Sequence, residues 1–134
     1  MNAVVTDTHA IIWYFSGNKR LSRKGRTIFE QAQLGQKQIV VPSIVLVETI
    51  FLLQRARIDK TIVQALLSLP ESIQDSIYIY PLNKAVVSAL GYFGSAVIPE
   101  LADRIVAATA YHLALPVLTT DSDMQESNLI QTIW

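Results

Sequence analysis

Four short apolar runs punctuate the chain at long intervals: Ala3-Val4-Val5-Thr6, Ile39-Val40-Val41, Ile77-Tyr78-Ile79-Tyr80 and Val117-Leu118-Thr119-Thr120. They are mostly β-branched and show no polar alternation. That is the signature of strands buried on both faces, as in a parallel sheet. The intervals carry helix signals. Asp7-Thr8 offers an N-cap for a helix over residues 9–15, which Gly17-Asn18 breaks. Ser22 caps a second helix reaching about residue 35. Pro42 closes the second strand, and Ser43 is read as the cap of a third helix over 44–57. A fourth helix covers 60–69, stopped by Pro70. A short helix follows over 84–92, and Pro99-Glu100 opens another that runs to about residue 115. After a loop or short helix, Thr132-Ile133-Trp134 fits a fifth strand. Strands alternating with helices predict an α/β fold with a central, mainly parallel sheet of four to five strands between helical layers.

No repeat, linker or low-complexity segment divides the 134 residues, so residues 1–134 are read as one domain. With 51% hydrophobic and 16% charged residues the chain is expected to pack a core rather than stay disordered. There is no cysteine, which excludes a disulfide scaffold, a thiolate nucleophile and a cysteine-held zinc. His9 and His112 are too few for a histidine-rich zinc site. A bound metal would be held mainly by oxygen, which points to Mg²⁺ or Mn²⁺. The N-terminus lacks a basic segment, and Asp7 interrupts its first apolar run, so no signal peptide is read. No membrane span is read either, and a cytoplasmic location is expected. Net charge is zero, but Lys19, Arg20, Arg23, Lys24 and Arg26 form a basic run with no acid among them.

Four acids stand out by position. Ligands of open parallel sheets bind beyond the carboxyl ends of the strands. Asp7 and Asp121 stand at two such ends, where each can equally serve as a helix cap or Asx turn. Glu48 lies between Ile44-Val45-Leu46-Val47 and Ile50-Phe51-Leu52-Leu53, on a helix so apolar that burial over most of its circumference is expected. No Lys or Arg lies within one turn of it. A carboxylate there needs a distant arginine or a cation. Asp103 opens a helix whose continuation, Ile105-Val106-Ala107-Ala108-Thr109-Ala110, is small and apolar enough for a central position. An acid in a first turn also simply suits the helix dipole. If the four converge, repulsion must raise their pKa values or a cation must neutralise them.

These segments together resemble the PIN domain family, and most closely its VapC-type toxins from toxin–antitoxin pairs. Val4-Val5-Thr6-Asp7-Thr8-His9-Ala10-Ile11-Ile12-Trp13 is similar to the family's first-acid motif. Pro42-Ser43-Ile44-Val45-Leu46-Val47-Glu48 resembles the second, Asp103-Arg104-Ile105-Val106-Ala107-Ala108-Thr109-Ala110 the third, and Val117-Leu118-Thr119-Thr120-Asp121 the fourth. The ending Thr132-Ile133-Trp134 is similar to many members. Each motif alone is weak, whereas their order and spacing are specific. The resemblance implies a three-layer α/β/α domain with the first and fourth strands adjacent. It also implies an Mg²⁺- or Mn²⁺-dependent endoribonuclease acting on single-stranded or structured RNA, inhibited by an antitoxin and assembled as a homodimer. The metal ligands would be Asp7, Glu48, Asp103 and Asp121. Asp123 is an extra acid that competes with Asp121.

Under that reading the basic run grips the RNA backbone; it is equally a solvated helix face or a site for an acidic antitoxin segment. Thr8 serves as a cap or holds a neighbouring carboxylate. His9 is expected to turn away from the acids, and His112 to be structural. Alternatives are a PIN-domain nuclease of RNA processing and a PIN-like binding module without catalysis. A haloacid-dehalogenase-like phosphatase needs a second Asp where this chain has His9. A response-regulator receiver needs an acidic pair and a late lysine that are missing. A flap-type DNA nuclease usually adds segments that this length does not accommodate.

Overall fold

The computed structural model describes residues 2–134. Five strands form one sheet: β1 (Ala3–Thr6), β2 (Gln38–Pro42), β3 (Ile77–Tyr80), β4 (Val117–Leu118) and β5 (Thr132–Ile133). Their order is β3-β2-β1-β4-β5, and every pairing is parallel. Successive strand residues point to opposite faces. Val4 and Val5 are at most 1% exposed, and Ile39, Val40, Val41, Val117 and Leu118 are fully buried. Both faces are therefore covered, which makes the fold a three-layer α/β/α sandwich as expected.

Seven helices make the outer layers: α1 (Thr8–Ser16), α2 (Arg23–Gln33), α3 (Ser43–Gln54), α4 (Lys60–Leu67), α5 (Lys84–Ala89), α6 (Leu101–Leu113) and α7 (Ser122–Glu126). A 3₁₀ turn, Leu90–Tyr92, continues α5. Asp7 caps α1 by accepting the Ala10 N–H at 2.9 Å, and Ser22 caps α2 by accepting the Gly25 N–H at 3.0 Å. α1 ends on Gly17, whose φ of 66° is a left-handed closure that glycine adopts without strain. α6 carries the alanines of the sequence into the centre, with Val106, Ala107, Ala108 and Ala110 fully buried.

Several local expectations are corrected. Ser43 does not cap α3; it is the helix's first residue, and its hydroxyl instead accepts the Leu82 N–H at 3.0 Å, bracing the loop after β3. α3 stops at Gln54 rather than 57, because Ala56 turns to a φ of 53° and its N–H closes on the Leu53 carbonyl. α3 is also less buried than its composition suggests. Only Val45 and Thr49 are buried, while Val47 and Phe51 are 44% and 55% exposed. β4 ends at Leu118, leaving Thr119 and Thr120 outside it. Trp134 lies beyond β5, its ring meeting that of Trp13 edge-on at 5.8 Å.

Candidate active site

The sheet's carboxyl edge is where the acids gather. β1 sits between β2 and β4, so the chain leaves it toward one side and returns on the other. That switch point opens a crevice beyond the strand ends. Asp7 follows β1 directly, and its N–H still reaches the Leu118 carbonyl of β4 at 3.3 Å. Its side chain is buried at 5% exposure. One carboxylate oxygen accepts the Ala10 N–H and the other accepts the Thr119 hydroxyl at 2.6 Å. Burial raises the Asp7 pKa above the ordinary value, with a smaller push from Asp121; the two hydrogen bonds and His9 act against it.

Thr119 was not singled out in the sequence. It is fully buried, and while its hydroxyl donates to Asp7 it accepts the Asp121 N–H at 3.0 Å. One side chain thus holds the first and fourth acids in register. The available signal was a hydroxyl residue closing an apolar strand two positions before an acid. Asp121 caps α7, accepting the Met124 N–H at 2.9 Å. Its capping and cleft-facing roles are compatible, because a carboxylate has about four lone-pair sites.

Glu48 finds its partner across the fold: the Thr8 hydroxyl donates to its Oε1. No arginine is used, and the side chain is half-buried. Asp103 stands in the first turn of α6, also half-buried. The helix N-terminus favours its charge, yet its pKa is pushed up to about 7. Burial is the main cause, followed by the charges of Asp121, Glu48, Asp7 and Glu100. Asp103 therefore senses all three other acids at once.

Asp7, Glu48, Asp103 and Asp121 line one cleft of about 580 Å³, together with Asp123, Glu100 and His9. The convergence that the strand ends only allowed is thus present in the fold. Both competing acids line the cleft, and the charge of Asp121 raises the pKa of Asp7 and of Asp103. His9 does not turn away, since its exposed ring stands at the cleft wall. His112 lies elsewhere, its ring 6.3 Å from that of Tyr80. The basic run is outside this cleft. Lys19, Arg20, Arg23 and Lys24 are exposed, and half-buried Arg26 turns back toward the Asn18 carbonyl at 3.5 Å.

Among the described residues, no three of these side chains close around a single point as a ready cage. Mg²⁺ does not demand one. It keeps several waters and takes one or two carboxylates directly. An all-oxygen donor set whose members repel one another, as the raised Asp103 records, fits such a partly hydrated ion.

Among solved structures, the chain resembles VapBC2 from Rickettsia felis bound to a DNA fragment from their promoter, with a TM-score of 0.67 and 12% identity over 98% of this chain and 97% of that one. It also resembles a toxin–antitoxin complex from Klebsiella pneumoniae, at 0.63 and 18% over 98% and 96%. FitAcB from Neisseria gonorrhoeae gives 0.61 and 16% over 98% and 96%. At such identities these likenesses speak for the fold alone. No functionally curated protein matches the sequence. No helix among the described residues is long and apolar enough to cross a membrane. The family model named PIN domain matches residues 4–128, a span that holds the parallel sheet through β4 and all four acids, and the chain belongs to the PIN domain family.

Proposed function

We propose that this protein is a metal-dependent endoribonuclease and the toxin of a VapBC-type toxin–antitoxin pair. The observation that carries the reading is the meeting of Asp7, Glu48, Asp103 and Asp121, from four separate elements, in one cleft at the sheet's switch point. Acids gathered this way have little structural use, because their repulsion costs stability. They suit a nuclease that holds Mg²⁺ or Mn²⁺ against a phosphodiester.

The ion would be held by Asp7, Glu48, Asp103 and Asp121, directly or through water. When bound, it supplies an activated water and screens charge building on the phosphate oxygens. The chain's part is positioning. Thr119 and the Ala10 N–H fix Asp7, and Thr8 fixes Glu48. The Asp103 carboxyl holds a proton for part of the time near neutrality and yields it when positive charge arrives. Asp123, at the cleft's edge, assists Asp121. Lys19, Arg20, Arg23 and Lys24 meet RNA phosphates in this reading, with Arg26 bracing the loop behind them.

The toxin assignment draws on the likeness to VapBC2 from Rickettsia felis and to a toxin–antitoxin complex from Klebsiella pneumoniae. Exposed Val47, Phe51 and Leu101, beside Glu48, offer an apolar face for an antitoxin segment. Val87, Tyr92 and Tyr111 offer a second face, suited to a homodimer. The site of action would be the cytoplasm. The enzyme is tested by incubating the purified protein with RNA in Mg²⁺. Cleavage should stop with EDTA and with Asp7→Asn; cleavage that survives both refutes the assignment. A small reading frame encoding a DNA-binding N-terminus next to this gene would establish the toxin role.

A further inference from the structure

A second cleft, of about 660 Å³, opens between α1 and α4. It is larger than the acid cleft and touches it at one residue, His9, which lines both. Its floor is apolar, with Ile12, Phe15, Leu52, Ile58 and Ile62, and its walls add charge and aromatic rings. Arg20, from the loop before α2, and Arg57, from the loop before α4, line it with exposed side chains. The aromatic pair His9 and Trp13 stands on its α1 side, with ring centroids 5.7 Å apart at 46°. Asp59 also lines it, but is committed to capping α4: its Oδ1 accepts the Thr61 N–H at 2.9 Å and the Thr61 hydroxyl at 3.0 Å. Its carboxylate stays charged, so Arg20 and Arg57 outweigh it by a single positive charge and are the groups free to meet an anion.

Arginine forks match phosphate geometry. Exposed aromatic rings stack on bases, and a base can present its face only where the strand is unpaired. The volume lies in the range of small-ligand sites, roughly 300 to 1,000 Å³. The groove along α3 carries more apolar surface, from exposed Val47, Phe51 and Leu101, and its acids Glu48 and Glu100 would repel phosphate, so it suits a protein segment.

We propose that the cleft between α1 and α4 is a nucleotide subsite for single-stranded RNA. A splayed base stacks on the exposed His9 ring, which half-buried Trp13 backs, and Arg20 and Arg57 hold its flanking phosphates. His9 is the shared wall over which the strand passes between this subsite and the acid cleft. The subsite rests on the ribonuclease reading and gives the single-stranded form of its substrate a place in the fold. It also gives Arg20 a task separate from the rest of the basic run.

The test uses the full chain carrying Asp7→Asn as parent, so that RNA is bound without being cut. The probes are a labelled single-stranded RNA octamer and a blunt RNA duplex, followed by fluorescence anisotropy against salt. Joining Arg20→Gln with Arg57→Gln should weaken octamer binding at least tenfold. It should also flatten the salt slope by about 1.4, at roughly 0.7 for each lost single-strand phosphate contact. His9→Ala should weaken octamer binding roughly tenfold, as for the loss of one stacked base, and His9→Phe should restore it. Duplex binding should not respond to His9. Lys37→Gln, which removes a charge ahead of β2 and away from the cleft, should match the parent. Unchanged octamer affinity in the arginine and histidine variants overturns the subsite, while loss of cleavage in Asp7→Asn leaves the nuclease standing. Equal losses on octamer and duplex, with no response to His9→Ala, reduce the arginines to general phosphate contacts and also overturn it. A parent that binds neither probe, with a wild type that cuts no RNA, overturns both readings together.

Discussion

The Thr119 hydroxyl donates to Asp7 across 112 positions of sequence, at 2.6 Å, in a fully buried setting. Valine in place of Thr119 has nearly the same shape and no donor. Thr119→Val should leave a buried carboxylate short of one hydrogen bond and cost about 1–3 kcal/mol. Chemical denaturation measures this. RNA cleavage should fall by roughly ten- to a hundredfold, as for the loss of a group that orients a metal ligand. Thr119→Ser should keep most of both. A valine variant with wild-type activity would remove Thr119 from the site.

Asp7→Asn should separate chemistry from folding. Asparagine caps helices as well as aspartate does, so the Ala10 contact survives and the thermal melt should stay cooperative and close to wild type. Cleavage should drop by more than roughly a hundredfold, beyond the loss expected for an outer group. Circular dichroism and a gel assay on the same preparation check both halves.

The Asp103 carboxyl sets the direction of a pH effect. Its pKa in the fold is about 7 against an ordinary 3.8, so between these values the native state binds more protons than the unfolded one. Stability of the metal-free protein should therefore fall as pH rises through that window. Asp7, also raised, adds to the same trend. Asp103→Asn should flatten the curve and make the metal-free protein more stable than wild type above neutrality. Adding Mg²⁺ should reverse the loss in wild type and do less in the variant. Denaturation midpoints on either side of neutrality read this out. A wild-type midpoint that climbs with pH contradicts it.

Phe51 is 55% exposed on α3, close to Glu48 along the same groove. Phe51→Glu should change the stability of the isolated chain by less than about 0.5 kcal/mol, as surface substitutions do. It should abolish co-purification with the proposed antitoxin, co-expressed from whichever neighbouring reading frame encodes it. Intact co-purification would move the antitoxin to another face.

The strands were legible because burial on both faces leaves no polar residue in Val4-Val5 or Ile39-Val40-Val41. Asp7, Asp103 and Asp121 were legible as strand-end and helix-start acids, although convergence needs the strand order, which local pattern does not encode. α3 misled for a physical reason. Its apolar side chains exceed what one face of this sheet can cover, so Val47 and Phe51 stay outside, and composition alone cannot tell a core from a docking face. Ser43 misled because its hydroxyl finds an acceptor's role 39 residues away, at Leu82, instead of the local one. Thr119 passed unnoticed as one more β-branched strand residue.

The span between Asp7 and Thr119 also bears on when the acid site can assemble. β1 lies at the centre of the sheet, yet its neighbour β4 is nearly the last strand to be made. During synthesis, which runs from the N-terminus, Asp7, Glu48 and Asp103 are joined to the chain before Thr119 and Asp121. A nascent chain at that stage has neither the donor that holds Asp7 nor the fourth acid. The proposed chemistry, which draws on all four acids, is thereby tied to the arrival of β4: a chain stopped before that strand lacks the site by topology.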